Sequence, residues 1–117
     1  MVKGSKWLGA AMLAGAATLA HAHHGWSSYN ADQVMQIEAT LQEVRYRNPH
    51  AEVEIDHNGQ RWHVILAPTR RMESRGLPDG ALQPGRTIII EGYPKRDGSP
   101  EMRAERITVD GKVIELR

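Results

Sequence analysis

Val34-Met35-Gln36-Ile37-Glu38-Ala39-Thr40-Leu41-Gln42-Glu43-Val44-Arg45-Tyr46-Arg47 is the stretch that decides the fold. Ile37, Ala39 and Leu41 share one parity, and polar residues occupy the other. This two-residue period marks a strand with one face on a core. Val44 and Tyr46 then carry the apolar face at the opposite parity. One extra residue reconciles the halves, so a β-bulge is expected near Gln42-Glu43, and a bulge bends its strand. Pro49 ends the run.

Downstream, Ala51, Val53 and Ile55 alternate with Glu52, Glu54 and Asp56, and Asn58-Gly59 is a two-residue hairpin turn. Folding about it sets Ile55 opposite Trp62 and Val53 opposite Val64 on an apolar face. Asp56 meets Arg61 and Glu54 meets His63 on the polar face, so size and charge agree with one register. Pro68 to Arg75 is the one helical candidate: proline suits the first turn, and Gly76 suits a C-terminal stop. Arg70, Arg71 and Arg75 make this helix basic. Strands follow at Thr87–Glu91, Met102–Val109 and Lys112–Leu116, the last two joined at Asp110-Gly111 with Ile107 facing Ile114 and Arg106 facing Glu115. A bent first strand, a hairpin, a short helix and a second meander predict an all-β domain, a small OB-like Greek-key barrel. The alternative is an open antiparallel sheet capped by the helix.

Upstream, Lys3 and Lys6 precede an apolar run from Trp7 to Leu19, and Ala20-His21-Ala22 offers small residues at a cleavage site. The expectation is a signal peptide over 1–22, a single domain over 23–117 with an arm over 23–33, and a periplasmic or secreted location without stable membrane insertion after cleavage. A weaker second site lies at Thr18-Leu19-Ala20. Without Lys3 and Lys6, the 15 basic residues become 13 against 14 acidic ones. That near-neutral balance argues against nonspecific nucleic-acid binding. The sequence has no cysteine, so the domain folds without disulfides and any metal site must use nitrogen, oxygen or thioether ligands.

Cleavage after Ala22 makes His23 the first residue. Its α-amino group and ring nitrogen form a compact chelate of the kind copper(II) favours. His50, after Pro49, is the best third donor, and His24 is the remaining candidate metal ligand. Cleavage after Ala20 gives His21-Ala22-His23, a different nitrogen set for copper or nickel. Each histidine also has a plainer reading. His23 and His24 belong to a chain end, where adjacent side chains of an extended arm point opposite ways. His50 braces the Asn48-Pro49 bend, His63 pairs with Glu54, and His57 stands exposed before the turn. Trp62 belongs to the core, Trp26 and Tyr29 anchor the arm to the barrel, and the helix arginines form either an anion site or a solvated face.

No nucleophile motif, phosphate-cradling glycine loop or metalloprotease helix occurs, so no catalytic residue is assigned and no enzyme activity is expected. Glu52, Glu54 and Asp56 read as a polar surface neutralised by Arg61 and His63. Two functions stay open: an exported protein binding copper through its N-terminal histidine, or a metal-free OB-type module for a protein, glycan or small ligand. The second would use a groove with Tyr29, Tyr46 or Tyr93.

His23-His24-Gly25, Asn48-Pro49-His50, Trp62, Pro84-Gly85 and Gly92-Tyr93-Pro94-Lys95-Arg96-Asp97-Gly98-Ser99 occur in this order along the chain. Together they resemble an uncharacterised family of short exported bacterial proteins, classified only as a domain of unknown function. The resemblance implies a periplasmic location and an all-β fold. It implies no activity.

Overall fold

The structure is a computed structural model and describes residues 25–117. A 3-10 turn at Trp26–Ser28 precedes β1 (Met35–Arg45), β2 (Glu52–His57), β3 (Gln60–Ile65), α1 (Thr69–Ser74), β4 (Thr87–Pro94), β5 (Glu101–Val109) and β6 (Lys112–Glu115).

Strand β1 bends as its apolar parity requires. Its first part, Met35 to Thr40, pairs antiparallel with β4, and its second part, Leu41 to Arg45, pairs antiparallel with β2. The register slips between Leu41 and Glu43, which leaves Gln42 as the extra residue. Ile37, Ala39 and Leu41 are buried, and Val44 and Tyr46 pack against the same core beyond the bulge. One strand thus serves both walls of a closed structure.

The β2–β3 hairpin has the expected register, with Ile55 opposite Trp62, Val53 opposite Val64, Glu54 opposite His63 and Asp56 opposite Arg61. Asn58 and Gly59 both have positive φ, 51° and 75°, as a type I′ turn demands.

Closure comes from a contact that no local pattern announces. β3 runs parallel to β5, with His63, Val64 and Ile65 beside Glu101, Met102 and Arg103. The circuit β1-β2-β3-β5-β4 returns to β1, with α1 between β3 and β4. This is an OB-type barrel rather than the open sheet. β6 extends β5 as a hairpin, with Ile107 opposite Ile114 and Arg106 opposite Glu115.

The interior is filled by Leu41, Val53, Ile55, Val64, Ile88, Ile90, Met102 and Ile107, all essentially inaccessible. Helix α1 is short, and its hold on the barrel is Met72, which is fully buried. Full burial of such a side chain contributes about 1.5–3 kcal/mol. The helix begins one residue later than Pro68, which sits at its N-cap. Arg71 and Arg75 donate to the Leu116 and Glu115 carbonyls and tie the helix to the chain's C-terminal strand. Two of the three helix arginines are therefore structural straps.

β4 reaches Pro94, three residues past its expected end. The extension works because a second register slip, between Glu91 and Gly92, leaves Glu105 unpaired on β5. At Gly92 the β5 backbone leaves no room for a side chain: a Cβ there would fall 2.1 Å from the Arg103 carbonyl oxygen. Only glycine fits without moving backbone.

Candidate functional site

The site is built where the arm crosses the barrel. The arm adds itself to the end of β4: Tyr29 bridges to Lys95, the Asn30 amide donates to the Pro94 carbonyl at 2.8 Å, and the Arg96 amide donates to the Ser28 carbonyl at 3.0 Å. Tyr29 is buried, and its hydroxyl donates to Glu101 Oε2 at 2.5 Å. Burial, and then this hydrogen bond, push the Tyr29 phenol well above its ordinary range. Trp26 meets Tyr93 edge-on at 6.1 Å. The expected anchoring of the arm by Trp26 and Tyr29 is what these contacts perform.

Between arm and barrel lies a cavity of about 480 Å³. The arm supplies Gly25, Trp26, Ser28 and Tyr29, and the barrel supplies His50, Ile65, Lys95 and Arg103. His50 comes from the β1–β2 connection, and Lys95 opens the β4–β5 connection.

Arg103 is the residue that sequence reasoning missed. Its neighbours Met102 and Ala104 point into the core, so Arg103 projects outward from β5, yet it retains only 8% of its exposure. The arm covers it. The Trp26 ring centroid lies 4.5 Å from the guanidinium carbon of Arg103 and 4.6 Å from that of Arg117. Arg103 Nη2 donates to His50 Nε2 at 3.3 Å, which assigns the His50 ring proton to Nδ1. Arg103 Nε is buried without a hydrogen-bond partner. Burial lowers the Arg103 proton affinity, and the nearby Arg71 and Arg117 charges lower it further. A guanidinium still stays charged at neutral pH. The period-two pattern marks Arg103 as outward-facing and carries no sign of what covers it.

Burial also lowers the His50 pKa, and the Arg103 charge acts in the same direction. His50 is thus held neutral beside a cation. The bend itself is braced by Asn48, whose Oδ1 accepts from the Thr69 hydroxyl at 2.9 Å. His23 and His24 lie outside the described residues, so of the three metal candidates only His50 is placed. No cluster of three or more His, Cys, Asp or Glu side chains suited to a metal ion occurs among the described residues.

The other histidines are engaged in surface networks. His63 stands opposite Glu54 in register, but its side chain reaches Glu52 instead, with Nε2 to Oε1 at 2.7 Å. Its Nδ1 accepts from Arg45 Nη2 at 3.1 Å. Glu54 is taken by Arg45 at 2.9 Å and by Arg61 at 3.5 Å. Arg45, on β1 opposite Glu52, reaches diagonally to Glu54 and holds its carboxylate, which leaves Glu52 to His63. His57 is half-buried rather than fully exposed, since it packs edge-on against Trp62 at 5.8 Å. The three acidic residues of β2 therefore face Arg45, Arg61 and His63, a neutralised polar surface. Of the three candidate groove tyrosines, Tyr29 lines the cavity. Tyr46 points to the helix end, donating to the Leu77 carbonyl at 2.8 Å, and Tyr93 supports Trp26.

A model for a family of unknown function, DUF6152, matches residues 11–104. The chain belongs to this family. Comparison with curated proteins finds no match. The family description assigns no activity, and no helix among the described residues is long and apolar enough to cross a membrane.

Proposed function

We propose that this protein is an exported, non-enzymatic binding module, and that its ligand site is the cavity between the arm and the barrel. The observation that carries the reading is the composition of that cavity's wall. Arm residues Trp26 and Tyr29 and barrel residues His50, Ile65, Lys95 and Arg103 line an open cavity of about 480 Å³. That volume, with apolar walls and a few convergent polar groups, suits a small ligand. The β1–β2 and β4–β5 connections that flank it are where OB barrels commonly bind, an analogy of fold that supports the location and not the chemistry.

The test is native mass spectrometry of the protein isolated from its host, before and after unfolding. A small molecule of defined mass should be released on unfolding, and the cavity-filling variant Ile65→Trp should lose it. Retention of the molecule by a folded Ile65→Trp would exclude this cavity. Absence of any bound molecule, together with no response of Trp26 fluorescence to a small-molecule panel, would sink the reading.

A second reading, copper binding, is favoured by one observation: Gly25 lines the same cavity as His50. The Arg103 charge beside His50 Nε2 opposes a metal ion there, which ranks this reading second. Copper titration of the processed protein decides it: affinity unchanged in both His23→Ala and His50→Ala would exclude the site.

A further inference from the structure

The cavity contains a charge that no group among the described residues neutralises. Arg103 is the one charged residue in the buried class among the described residues. It takes part in no ion pair there, its one side-chain hydrogen bond is to a neutral imidazole, and its buried Nε donates to nothing. Arg45, Arg61, Arg86, Arg106 and Arg117 each have a carboxylate partner. The cavity's own carboxylate neighbour, Glu101, is already committed, accepting from the Tyr29 hydroxyl and pairing with Lys95 at 3.6 Å.

An unpaired buried cation is costly. A lysine could relieve that cost by releasing its proton, and an arginine does not. Aromatic contact with Trp26 offsets part of the cost and supplies no counter-charge. What remains is a pre-placed guanidinium on the cavity wall, with Nε unpaired and spare donor capacity at Nη1 and Nη2. That arrangement matches a carboxylate or phosphate geometrically. The walls separate the two. Trp26, Tyr29 and Ile65 offer apolar surface next to the fork, which suits an anion with an apolar body rather than one hydrated on every side.

We infer that Arg103 is the anion-binding residue of this cavity and that the ligand is a small organic carboxylate, its carboxylate on the guanidinium and its apolar body against Trp26 and Ile65. This rests on the reading of the cavity as the ligand site and adds the chemical class.

The probe is benzoate, with acetate and inorganic phosphate as comparators, titrated calorimetrically into the purified full chain and followed in parallel by amide NMR. Benzoate should bind most tightly, shifting the resonances of Gly25, Trp26, His50 and Arg103. Arg103→Met and Arg103→Lys should each weaken it at least tenfold, the lysine variant because it keeps the charge and loses the fork. Arg70→Ala, which removes an exposed helix arginine, should leave it unchanged. NMR spectra of each variant verify folding, and Arg103→Lys carries the test if the methionine variant does not fold. Benzoate affinity unchanged in a folded Arg103 variant, phosphate binding without benzoate binding, or no anion binding at all would overturn the proposal. A bound neutral molecule, lost from Ile65→Trp and retained by Arg103→Met, would overturn it while leaving the cavity as the ligand site.

Discussion

Replacing Arg103 by methionine should make the ligand-free protein more stable. The guanidinium keeps 8% of its exposure and has no carboxylate partner among the described residues. Its effective desolvation cost is about 4 kcal/mol. Against that stand the contact with Trp26, worth about 1 kcal/mol, and the hydrogen bond to His50, worth about 1.5 kcal/mol. Methionine is unbranched and fits the space left by the arginine stem, so the cavity term is small. The balance is a gain of about 1.5 kcal/mol, which for a domain of this size raises Tm by about 6–12 °C. Urea unfolding followed by circular dichroism, in buffer without organic anions, measures it. With benzoate at a hundred times the parent's Kd the gap should close, because the parent gains about 2.7 kcal/mol from the ligand and a variant weakened tenfold gains about 1.4 kcal/mol. A methionine variant less stable than the parent by more than about 1 kcal/mol would refute the reasoning. The charge would then be compensated in the free protein, and Arg103 would be a structural residue.

Gly92→Ala should destabilise by about 3 kcal/mol, since its Cβ would meet β5 backbone that cannot retreat without breaking the barrel; an unchanged urea midpoint would count against the close crossing. Met72→Ala should cost about 3 kcal/mol and loosen α1, seen as faster amide exchange over Thr69–Ser74, because this side chain is the helix's buried anchor. Glu54 has its pKa lowered first by the hydrogen bond from Arg45, so its contribution is present above the unfolded carboxylate value, near 4.3, and is lost as pH falls through the folded value. Glu54→Gln should therefore be less stable than the parent at pH 7 by about 1 kcal/mol, and the gap should shrink as pH falls below the unfolded carboxylate value; a pH-independent gap would rule out this linkage.

Much of the barrel was legible because it rests on local rules. The parity change between Leu41 and Val44 locates the β1 bulge, and Asn58-Gly59 with matched apolar and charged pairs determines the β2–β3 register. The β5 bulge at Glu105 was not legible, since Met102, Ala104, Ile107 and Val109 also read as a plain strand with one break. The His63 side chain escaped the pairwise rule because its partner is chosen by Arg45 from a third strand. Of the candidate metal ligands, His50 lies on the cavity, and the pair at 23 and 24 falls outside the described residues.

The sequence by itself determined strand phase, turn type, helix α1 and the family, because each depends on neighbours in the chain or on motif order. The parallel contact of β3 with β5 and the arm laid across them depend on residues far apart in sequence. That tertiary arrangement turns Arg103 from an ordinary outward-facing arginine into a buried, unneutralised cation beside His50. Its chemistry comes from what surrounds it, and period-two alternation records only which side of the strand it occupies.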